Sequence, residues 1–408
     1  MKLHKGLVDA VLFGMKEIFI DHRHADQVVD ELLKSNKKWG KRDRSFIAEN
    51  IYDTCRWWSL ITFCAGKTDA LVQSDMKSIF YTWLILKSIH LGNEPSSELP
   101  EWVMVEDLTE EMVKEHYAKA VNIRSVIHAI PEWLDKVGVK ELNEKWVTEL
   151  MGQNCQAPLY IRVNPLKSSI KQVREILGFE ETETLSGVPF GLMLKKRQNL
   201  MSRDSFQMGF FEIQDAGSQL IAPFLNPQPG DFVVDACAGA GGKSLHFAAL
   251  LEGKGRILAM DIERVKLMEL EKRAKRNGAT NLRTQLITGE STISSLYNQV
   301  DKLLLDVPCT GLGVLRRSPD SKWKLTQKFL DQIRQTQAEL LSNYSKMVKI
   351  GGNMVYATCS ILPSESEWQV SRFIGENVQK WKLVKEHRTS PYAENVDGFY
   401  MALLERIA

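Results

Sequence analysis

The sequence lacks the features that mark several classes of protein. Its six cysteines include no Cys-x-x-Cys pair and lie near no pair of histidines, so we expect neither a disulfide framework nor a metal site. No stretch approaches the roughly 18 uninterrupted apolar residues of a membrane helix, and no short apolar run with a cleavage site stands at the amino terminus. These absences predict a cytoplasmic protein with reduced thiols and no membrane association.

An excess of charge of one sign is also missing, because 53 basic residues face 51 acidic ones. The 408 residues and 44% hydrophobic content are enough for two or three domains with real cores. The near-neutral total conceals an uneven distribution. Residues 34–44 carry six cations around Trp39, whereas residues 91–150 carry 13 acidic and 6 basic residues. The basic segment suits phosphate contact and base stacking, or it is a solvated loop.

The first half of the chain has two kinds of pattern. Residues 1 to about 130 repeat apolar side chains at helical spacing. Near residue 155 a strand is expected, followed by a helix from about Ile170 to Leu177 and hairpin-like pieces around Gly187 and Gly191, which together predict a small α+β module. Several cations give this module a possible nucleic-acid face: Arg162, Lys167, Lys171, Arg174, Lys195, Lys196, Arg197 and Arg203.

From Phe210 onward, strand and helix patterns alternate, which predicts an α/β fold with a doubly wound parallel sheet. We expect its strands at residues 231–235, 256–261, 283–288, 301–306, 352–357 and 398–404. In such sheets, ligands bind beyond the carboxyl ends of the strands.

A glycine-rich loop follows the first of these strands. It runs from Asp235 through Gly239-Ala-Gly241-Gly242-Lys243, and its spacing differs from the dinucleotide fingerprint Gly-x-Gly-x-x-Gly. A P-loop would need glycine where Cys237 stands, so the match to a triphosphate site is partial. The second strand ends in Asp261, placed to accept hydrogen bonds from ribose hydroxyls. The pattern therefore predicts a nucleoside ligand.

Two further strands each end in a cysteine. The apolar run before Asp306 leads into Cys309, and the strand after Gly351 ends in Thr358-Cys359-Ser360. A lone cysteine is more often an inert buried side chain. At a strand end that faces a cleft, with an aspartate three residues before it, a thiol can instead be held as a reactive thiolate.

These motifs resemble the RsmB/Sun family of S-adenosylmethionine-dependent RNA (cytosine-5) methyltransferases. The amino-terminal part is similar to the NusB-like helical domain of the bacterial ribosomal-RNA branch, so the resemblance covers nearly the whole chain. It implies a class I methyltransferase (Rossmann-like) domain at 209–408, preceded by a NusB-like RNA-binding domain at 1–140 and the small module at 150–208. The matching stretches are residues 43–57, 211–218, 235–244, Asp261, residues 306–320, Trp323, residues 357–360 and residues 397–400.

The resemblance also implies roles for single residues. Cys359 is the nucleophile, Cys309 assists release of the product, and Asp306 lies between the cofactor and the base. Asp261 holds the ribose of S-adenosylmethionine, and Glu290 is the nearest match to the acid beside adenine. The residues implied to line the methionine end are Cys237, Ala238, Gly239, Ala240, Gly241, Gly242 and Lys243. The family usually has proline where this chain has Ala240, and paired glutamates where it has Ser364-Glu365, so the role of that pair is open.

The chemistry explains why such residues are needed. Carbon 5 of cytosine is a weak nucleophile, so a thiolate must first add to carbon 6 while a carboxyl group such as Asp306 protonates or hydrogen-bonds N3. After methyl transfer a base must remove the proton from carbon 5, which is the expected task of the second cysteine. The base must also be unstacked, so a single-stranded or bulged RNA is favoured over DNA or duplex. Trp323, Arg316 and Arg317 either support the displaced strand or serve packing.

Several functions remain in competition. The main interpretation is a monomeric methyltransferase that forms 5-methylcytidine in small-subunit 16S ribosomal RNA, with transfer RNA or large-subunit ribosomal RNA as alternative substrates. A nucleotide-dependent oxidoreductase would explain the sheet and Asp261, but it leaves the cysteine pair unexplained and has the wrong glycine spacing. A non-catalytic RNA-binding assembly factor would be expected to have lost a cysteine or the glycine loop, and both are present.

Overall fold

The computed structural model describes residues 3–67, 72–92 and 99–408. Residues 93–98 of the acidic segment therefore lie outside the described residues. Contacts divide the chain into two units. The helical unit comprises Met1–Cys155 together with Leu315–Gln327, and the α/β unit comprises Gln156–Val314 and Lys328–Ala408. A short segment from the middle of the carboxyl-terminal half thus belongs to the helical unit.

The first part of the helical unit confirms the predicted helices. In α1, Leu7, Val11, Met15 and Ile18 are all buried in one hydrophobic core, as their helical spacing requires. Among the described residues, no helix is long and apolar enough to cross a membrane. The helices are α1 (Lys5–Phe19), α2 (Ala25–Ser35), α3 (Lys41–Arg56), α4 (Trp58–Cys64), α5 (Asp75–Leu91), α6 (Glu110–Ala120), α7 (Arg124–Ile127), α8 (Glu132–Leu142) and α9 (Lys145–Gln153).

The α/β unit begins with a small antiparallel sheet, which confirms the α+β pattern near residue 155. Its strand order is β2-β3-β1-β4. The predicted helix at 170–177 has those bounds because Ser169 caps its first turn and Gln172 reaches back to the Ser169 N–H at 3.0 Å. The elements are β1 (Leu159–Val163), α10 (Ile170–Leu177), β2 (Thr182–Thr184), β3 (Gly191–Leu194), α11 (Asp204–Gln207) and β4 (Phe211–Ile213).

The rest of the unit forms the doubly wound sheet. In the described residues it has seven strands in the order β10-β11-β9-β8-β5-β6-β7. Strands β5 to β9 run parallel to one another. Strand β11 is antiparallel to both of its neighbours, β9 and β10. The elements are α12 (Ala216–Leu225), β5 (Phe232–Asp235), α13 (Gly242–Leu250), β6 (Arg256–Asp261), α14 (Arg264–Asn277), β7 (Leu282–Leu286), α15 (Glu290–Ser294), β8 (Val300–Asp306), α16 (Ser321–Lys324, in the helical unit), α17 (Gln327–Tyr344), β9 (Val348–Thr358), α18 (Glu367–Glu376), β10 (Trp381–Arg388) and β11 (Tyr400–Arg406).

Apolar side chains cover both faces of this sheet. Leu304 points into one core with Val233 and Val355, while Leu303 and Leu305 point into the other. This two-sided burial is the reason why β8 has the unbroken apolar run seen in the sequence. Strand β10 was not predicted, because only its first residue is buried and the next six are exposed. It lies at the edge of the sheet, where little apolar surface is needed.

Candidate active site at the ends of the parallel strands

The carboxyl ends of β5, β6, β8 and β9 form one edge of the sheet. Strand β5 is the topological switch point, because β6 lies on one side of it and β8 on the other. The register pairs Asp306 of β8 with Ala357 of β9. Cys309 and Cys359 follow these residues by three and two positions, so the two turns leave the sheet side by side.

The glycine loop between β5 and α13 has a conformation that needs glycine. Gly239 and Gly241 have φ angles of 54° and 83°, in the left-handed region that favours glycine. A Cβ on Gly241 would overlap Leu270 of α14, whereas a Cβ on Gly239 would enter open space above the loop. The open space at Gly239, shortly before α13, leaves room for a ligand to approach the backbone of the loop.

Asp261 is tied to this loop. The Asp261 carboxylate, which is 8% exposed, accepts a hydrogen bond from the Gly239 N–H at 2.8 Å and one from the Glu263 N–H at 2.9 Å. Two acceptor oxygens beside an open glycine loop fit the ribose of a nucleoside cofactor. Glu290 is the first residue of the short helix α15 and its side chain is exposed. It follows the next strand, β7, on the same side of β5 as Asp261.

Asp306 forms an ion pair within the site. Its carboxylate accepts a 2.5 Å hydrogen bond from the ammonium of Lys243, the residue that ends the glycine loop. Burial alone would lower the pKa of Lys243, but Asp306 raises it overall, and Asp235 and Cys359 add to the effect. The same ammonium lies 5.4 Å from the ring centre of Phe399. Sequence reasoning placed Lys243 only on the cofactor and missed this pairing.

The two cysteine thiols are in contact. The Cys309 and Cys359 sulfur atoms lie 3.1 Å apart, and both cysteines are free. The hydrogen bond with Cys359 raises the pKa of Cys309 well above its ordinary value, and burial raises it further. The Cys309 thiol therefore loses its proton less readily than an ordinary cysteine. The predicted pair of cysteines is thus brought together with Asp306 on neighbouring strands.

Cys237 has a different environment from this pair. Burial raises the pKa of its thiol well above the ordinary value, and the negative charges of Asp235, Asp306 and Asp261 raise it further. Such a thiol is a poor nucleophile. Below the loop, burial also raises the pKa of Asp235 to about 7, although its hydrogen bond from the Ser244 hydroxyl at 2.6 Å opposes this change.

Two candidates for RNA contact turn out to be packed inside the helical unit. The Trp323 indole N–H donates to the Cys55 carbonyl at 2.6 Å, and Arg316 is only 2% exposed. Lys322 donates to the Arg56 carbonyl at 2.9 Å. These contacts favour the packing role for Trp323 and Arg316. Trp39 of the basic segment likewise packs against the helical core, which leaves it poorly placed for base stacking.

Sequence reasoning named Glu365 and left its role open. This side chain is fully buried and accepts hydrogen bonds from the residues that follow Cys309 and Cys359. The sequence signal was its place in the Ser364-Glu365 pair, where the resembled family usually has paired glutamates, and nothing in that pattern indicated burial.

Known proteins of similar sequence and fold identify the family of this chain. Residues 222–405 match the family model described as 16S rRNA methyltransferase RsmB/F. The chain is 32% identical over 302 residues to a probable ribosomal RNA small subunit methyltransferase B of Synechocystis sp., covering 68% of this chain and 67% of that one.

Longer alignments agree. The chain is 27% identical over 402 residues to the ribosomal RNA small subunit methyltransferase B of Yersinia enterocolitica, covering 90% and 92% of the two chains. The crystal structure of PH0851 has the same fold, with a TM-score of 0.81, 23% identity and coverage of 99% of both chains. The glycine loop, its open face and the Asp261 carboxylate fit S-adenosylmethionine, and the chain belongs to the RsmB/F family of S-adenosylmethionine-dependent methyltransferases.

Proposed function

We propose that this protein methylates carbon 5 of a cytidine in ribosomal RNA through a covalent bond between Cys359 and carbon 6 of the base. The observation that carries the proposal is the thiol pair, 3.1 Å apart, next to the Lys243–Asp306 pair. The printed names of the relatives favour RNA of the small subunit. We further propose that the enzyme acts as a cytoplasmic monomer on a single-stranded or unstacked cytidine, and not on DNA.

The residues divide the reaction between them. The Cys359 thiolate, stabilised by the Cys309 S–H and the Lys243 ammonium, adds to carbon 6. The electron pair moves toward N3, which receives a proton through Asp306, while the Lys243 ammonium gives its own proton to that carboxylate along their hydrogen bond and becomes a neutral amine. The glycine loop and Asp261 would hold S-adenosylmethionine, whose sulfonium would supply the methyl group for carbon 5 and leave as a neutral thioether. Glu290 is proposed to lie near the adenine.

Release of the product depends on a change at Cys309. While Cys359 carries negative charge, its hydrogen bond raises the pKa of Cys309. Once Cys359 is bonded to carbon 6, that contribution is gone and the pKa of Cys309 falls, although burial and the Glu365 carboxylate still raise it. Cys309 then takes the proton from carbon 5, the bond between carbon 6 and Cys359 breaks, and Cys359 leaves as a thiolate. One thiol pair thus supplies the nucleophile and the base in turn.

Methyl transfer to purified RNA tests the proposal directly. We expect the enzyme with labelled S-adenosylmethionine to modify small-subunit ribosomal RNA from a strain that lacks its gene, and mapping to place 5-methylcytidine at an unstacked position. Large-subunit ribosomal RNA and transfer RNA serve as matched substrates. Preferential labelling of either one would replace the assignment to the small subunit, and binding without labelling of any RNA would favour an assembly factor.

Asp261→Ala should weaken S-adenosylmethionine binding. Each charge-assisted hydrogen bond to the ribose is worth about 1.5 to 3 kcal/mol, roughly ten- to a hundredfold in the dissociation constant. The variant also removes the acceptor of the hydrogen bond that the Gly239 N–H donates to Asp261. Calorimetry would measure the loss, with Glu263→Ala as a control that removes an equal charge two residues away. Equal affinity of Asp261→Ala and the wild type would mean that this carboxylate does not hold the cofactor.

The basic segment is proposed to contact RNA phosphates. Arg44 is used internally, donating to the Leu33 and Trp39 carbonyls at 2.6 and 3.0 Å, and Lys34 pairs with Asp30. The exposed cations that remain are Lys37, Lys38, Lys41 and Arg42. Replacing all four with alanine leaves the rest of the helical unit unchanged, whereas deleting the amino-terminal helices would unpack residues 315–327.

The fourfold alanine variant should bind RNA more weakly and with less dependence on salt. Because each phosphate contact to a single strand contributes about 0.7 to the slope of log affinity against log salt, the slope should fall by up to about 2.8. Lys114, Lys119, Lys136 and Lys140, which are exposed in the acidic half of the unit, provide a control with the same change of charge. If both variants change the slope equally, the basic segment is only a solvated loop.

A further inference from the structure

Glu365 has an unusual environment for a carboxylate. It is 0% exposed, and within the part of the chain that the structure describes no lysine or arginine nitrogen lies within 4.0 Å of its oxygens. A buried charge without a cation is costly unless hydrogen-bond donors replace the lost water. It lies in the short turn Pro363–Glu365, two residues before α18. The positions of its hydrogen-bond donors indicate which part of the molecule the buried carboxylate holds in place.

Both cysteine-bearing turns donate to this one carboxylate. Oε2 accepts from the Thr310 hydroxyl at 2.6 Å and from the Ser360 hydroxyl at 2.5 Å. Oε1 accepts from the Thr310 N–H at 2.9 Å. Thr310 directly follows Cys309, and Ser360 directly follows Cys359. The two turns are therefore joined through Glu365 one residue away from each thiol.

The carboxylate is itself held from behind. The Gln337 amide of α17 donates to Oε1 at 3.1 Å and to the Pro308 carbonyl at 3.0 Å. The Tyr356 hydroxyl of β9 donates to the Glu365 carbonyl at 2.7 Å. Glu365 is thus fixed to the strand that carries Cys359 and to the helix that supports the Pro308 turn. A fixed acceptor of this kind sets the relative position of the groups bonded to it.

We propose that Glu365 is a positioning residue that sets the separation of the Cys309 and Cys359 thiols. It makes no contact with the reacting atoms and acts through Thr310 and Ser360. The inference rests on the proposed function, because the separation of the two thiols matters for catalysis only if both cysteines take part in the reaction. Both sulfur atoms must reach the same base, and a misplacement of about 1 Å can cost about a hundredfold in rate.

Two substitutions of Glu365 separate the effect of its hydrogen bonds to the two turns from the effect of its negative charge. Glu365→Ala removes the acceptors for both turns. Glu365→Gln keeps an oxygen for the Thr310 N–H and the Gln337 amide, and its NH2 group can donate to the two hydroxyls, which rotate to accept it. Asp301→Ala is the matched control: it removes a carboxylate that accepts the Phe232 N–H at 2.8 Å at the opposite end of β8.

The thiol separation can be measured without RNA. Diamide, a diazene oxidant, takes two electrons and two protons from a thiol pair, forming a disulfide and a hydrazine. We expect wild type and Glu365→Gln to form the Cys309–Cys359 bond quickly, as mapped by peptide mass spectrometry, and Glu365→Ala to form it at least tenfold more slowly. Asp301→Ala should react at the wild-type rate even if its melting temperature falls.

Activity supplies the second measurement. Glu365→Ala should lower kcat for methyl transfer about a hundredfold, with S-adenosylmethionine affinity unchanged in calorimetry, and Glu365→Gln should restore most of kcat. If Glu365→Ala does not fold, Ser360→Ala cuts only the tie to the Cys359 turn and should slow disulfide formation to a smaller extent.

The outcomes are distinct. Wild-type disulfide rates in Glu365→Ala, or in Ser360→Ala if Glu365→Ala does not fold, would overturn the proposal. An equal loss in Asp301→Ala would also overturn it, because the effect would then be general destabilisation. Slow disulfide formation in Glu365→Ala, together with a wild-type enzyme that methylates no RNA, would overturn the proposed function and leave the positioning role in place.

Discussion

Cys309→Ser should remain covalently joined to its methylated RNA, whereas Cys359→Ser should form neither an adduct nor a product. A serine hydroxyl is far less ionised than a thiol near neutral pH, so attack on carbon 6 fails without Cys359. In Cys309→Ser, attack and methyl transfer proceed but removal of the carbon 5 proton is impaired. Denaturing gel electrophoresis with labelled S-adenosylmethionine should show about one methyl group trapped per enzyme.

The geometry that motivates this assignment is the contact of the two sulfur atoms, 3.1 Å apart. The raised pKa of Cys309 means that this thiol loses its proton less readily than an ordinary cysteine. Cys155→Ser provides a control, because Cys155 is an exposed free cysteine of the helical unit. The opposite pattern, with the adduct trapped in Cys359→Ser, would reverse the roles and make the cysteine that follows Pro308 the nucleophile.

Asp306→Asn should reduce kcat by about 10² to 10⁴, the range usual for loss of a general acid or base. The amide keeps the shape of the side chain, but it removes the charge that pairs with Lys243 and cannot relay a proton to N3. Combined with Cys309→Ser, the substitution should also abolish the trapped adduct, because protonation accompanies the first addition. Kinetics and the gel assay measure both effects.

Asp301→Asn tests whether the loss is specific to the active end of the strand. Asp301 lies on the same strand as Asp306 but at the amino-terminal end of β8, and its substitution should leave kcat near the wild-type value. If the Asp306→Asn and Cys309→Ser double variant still accumulates adduct, Asp306 acts only after the addition, and N3 must receive its proton elsewhere.

The strands that build the site were predictable because both faces of the central sheet are buried. A strand covered on two sides needs a continuous apolar run, and such runs precede Asp235, Asp261 and Asp306 in the sequence. The edge strand β10 was missed because it buries only one residue and therefore needs no apolar run. Where the core does not constrain a segment, local sequence carries little information about its structure.

The packing of residues 315–327, like strand β10, could not be predicted from the sequence. This segment follows Cys309 closely and carries Arg316 and Trp323, which suggested a surface next to the RNA. In the structure, Asp320 accepts the Ala25 N–H at 3.1 Å, and Trp323 and Lys322 donate to carbonyls of α3. These partners are roughly 270 to 300 residues away in the chain, and no local pattern reports on them.

The sequence by itself determined the chemistry that is available at the sheet edge. A glycine loop with open backbone, an aspartate after the next strand and two cysteines at strand ends are local features that few other functions require together. The tertiary structure decided how these groups are arranged. The register of β8 against β9 places the two sulfur atoms 3.1 Å apart, Lys243 reaches Asp306 from another strand end, and Glu365 joins the two turns. These distances depend on long-range packing, because burial and strand register are set by the whole core and not by neighbouring residues.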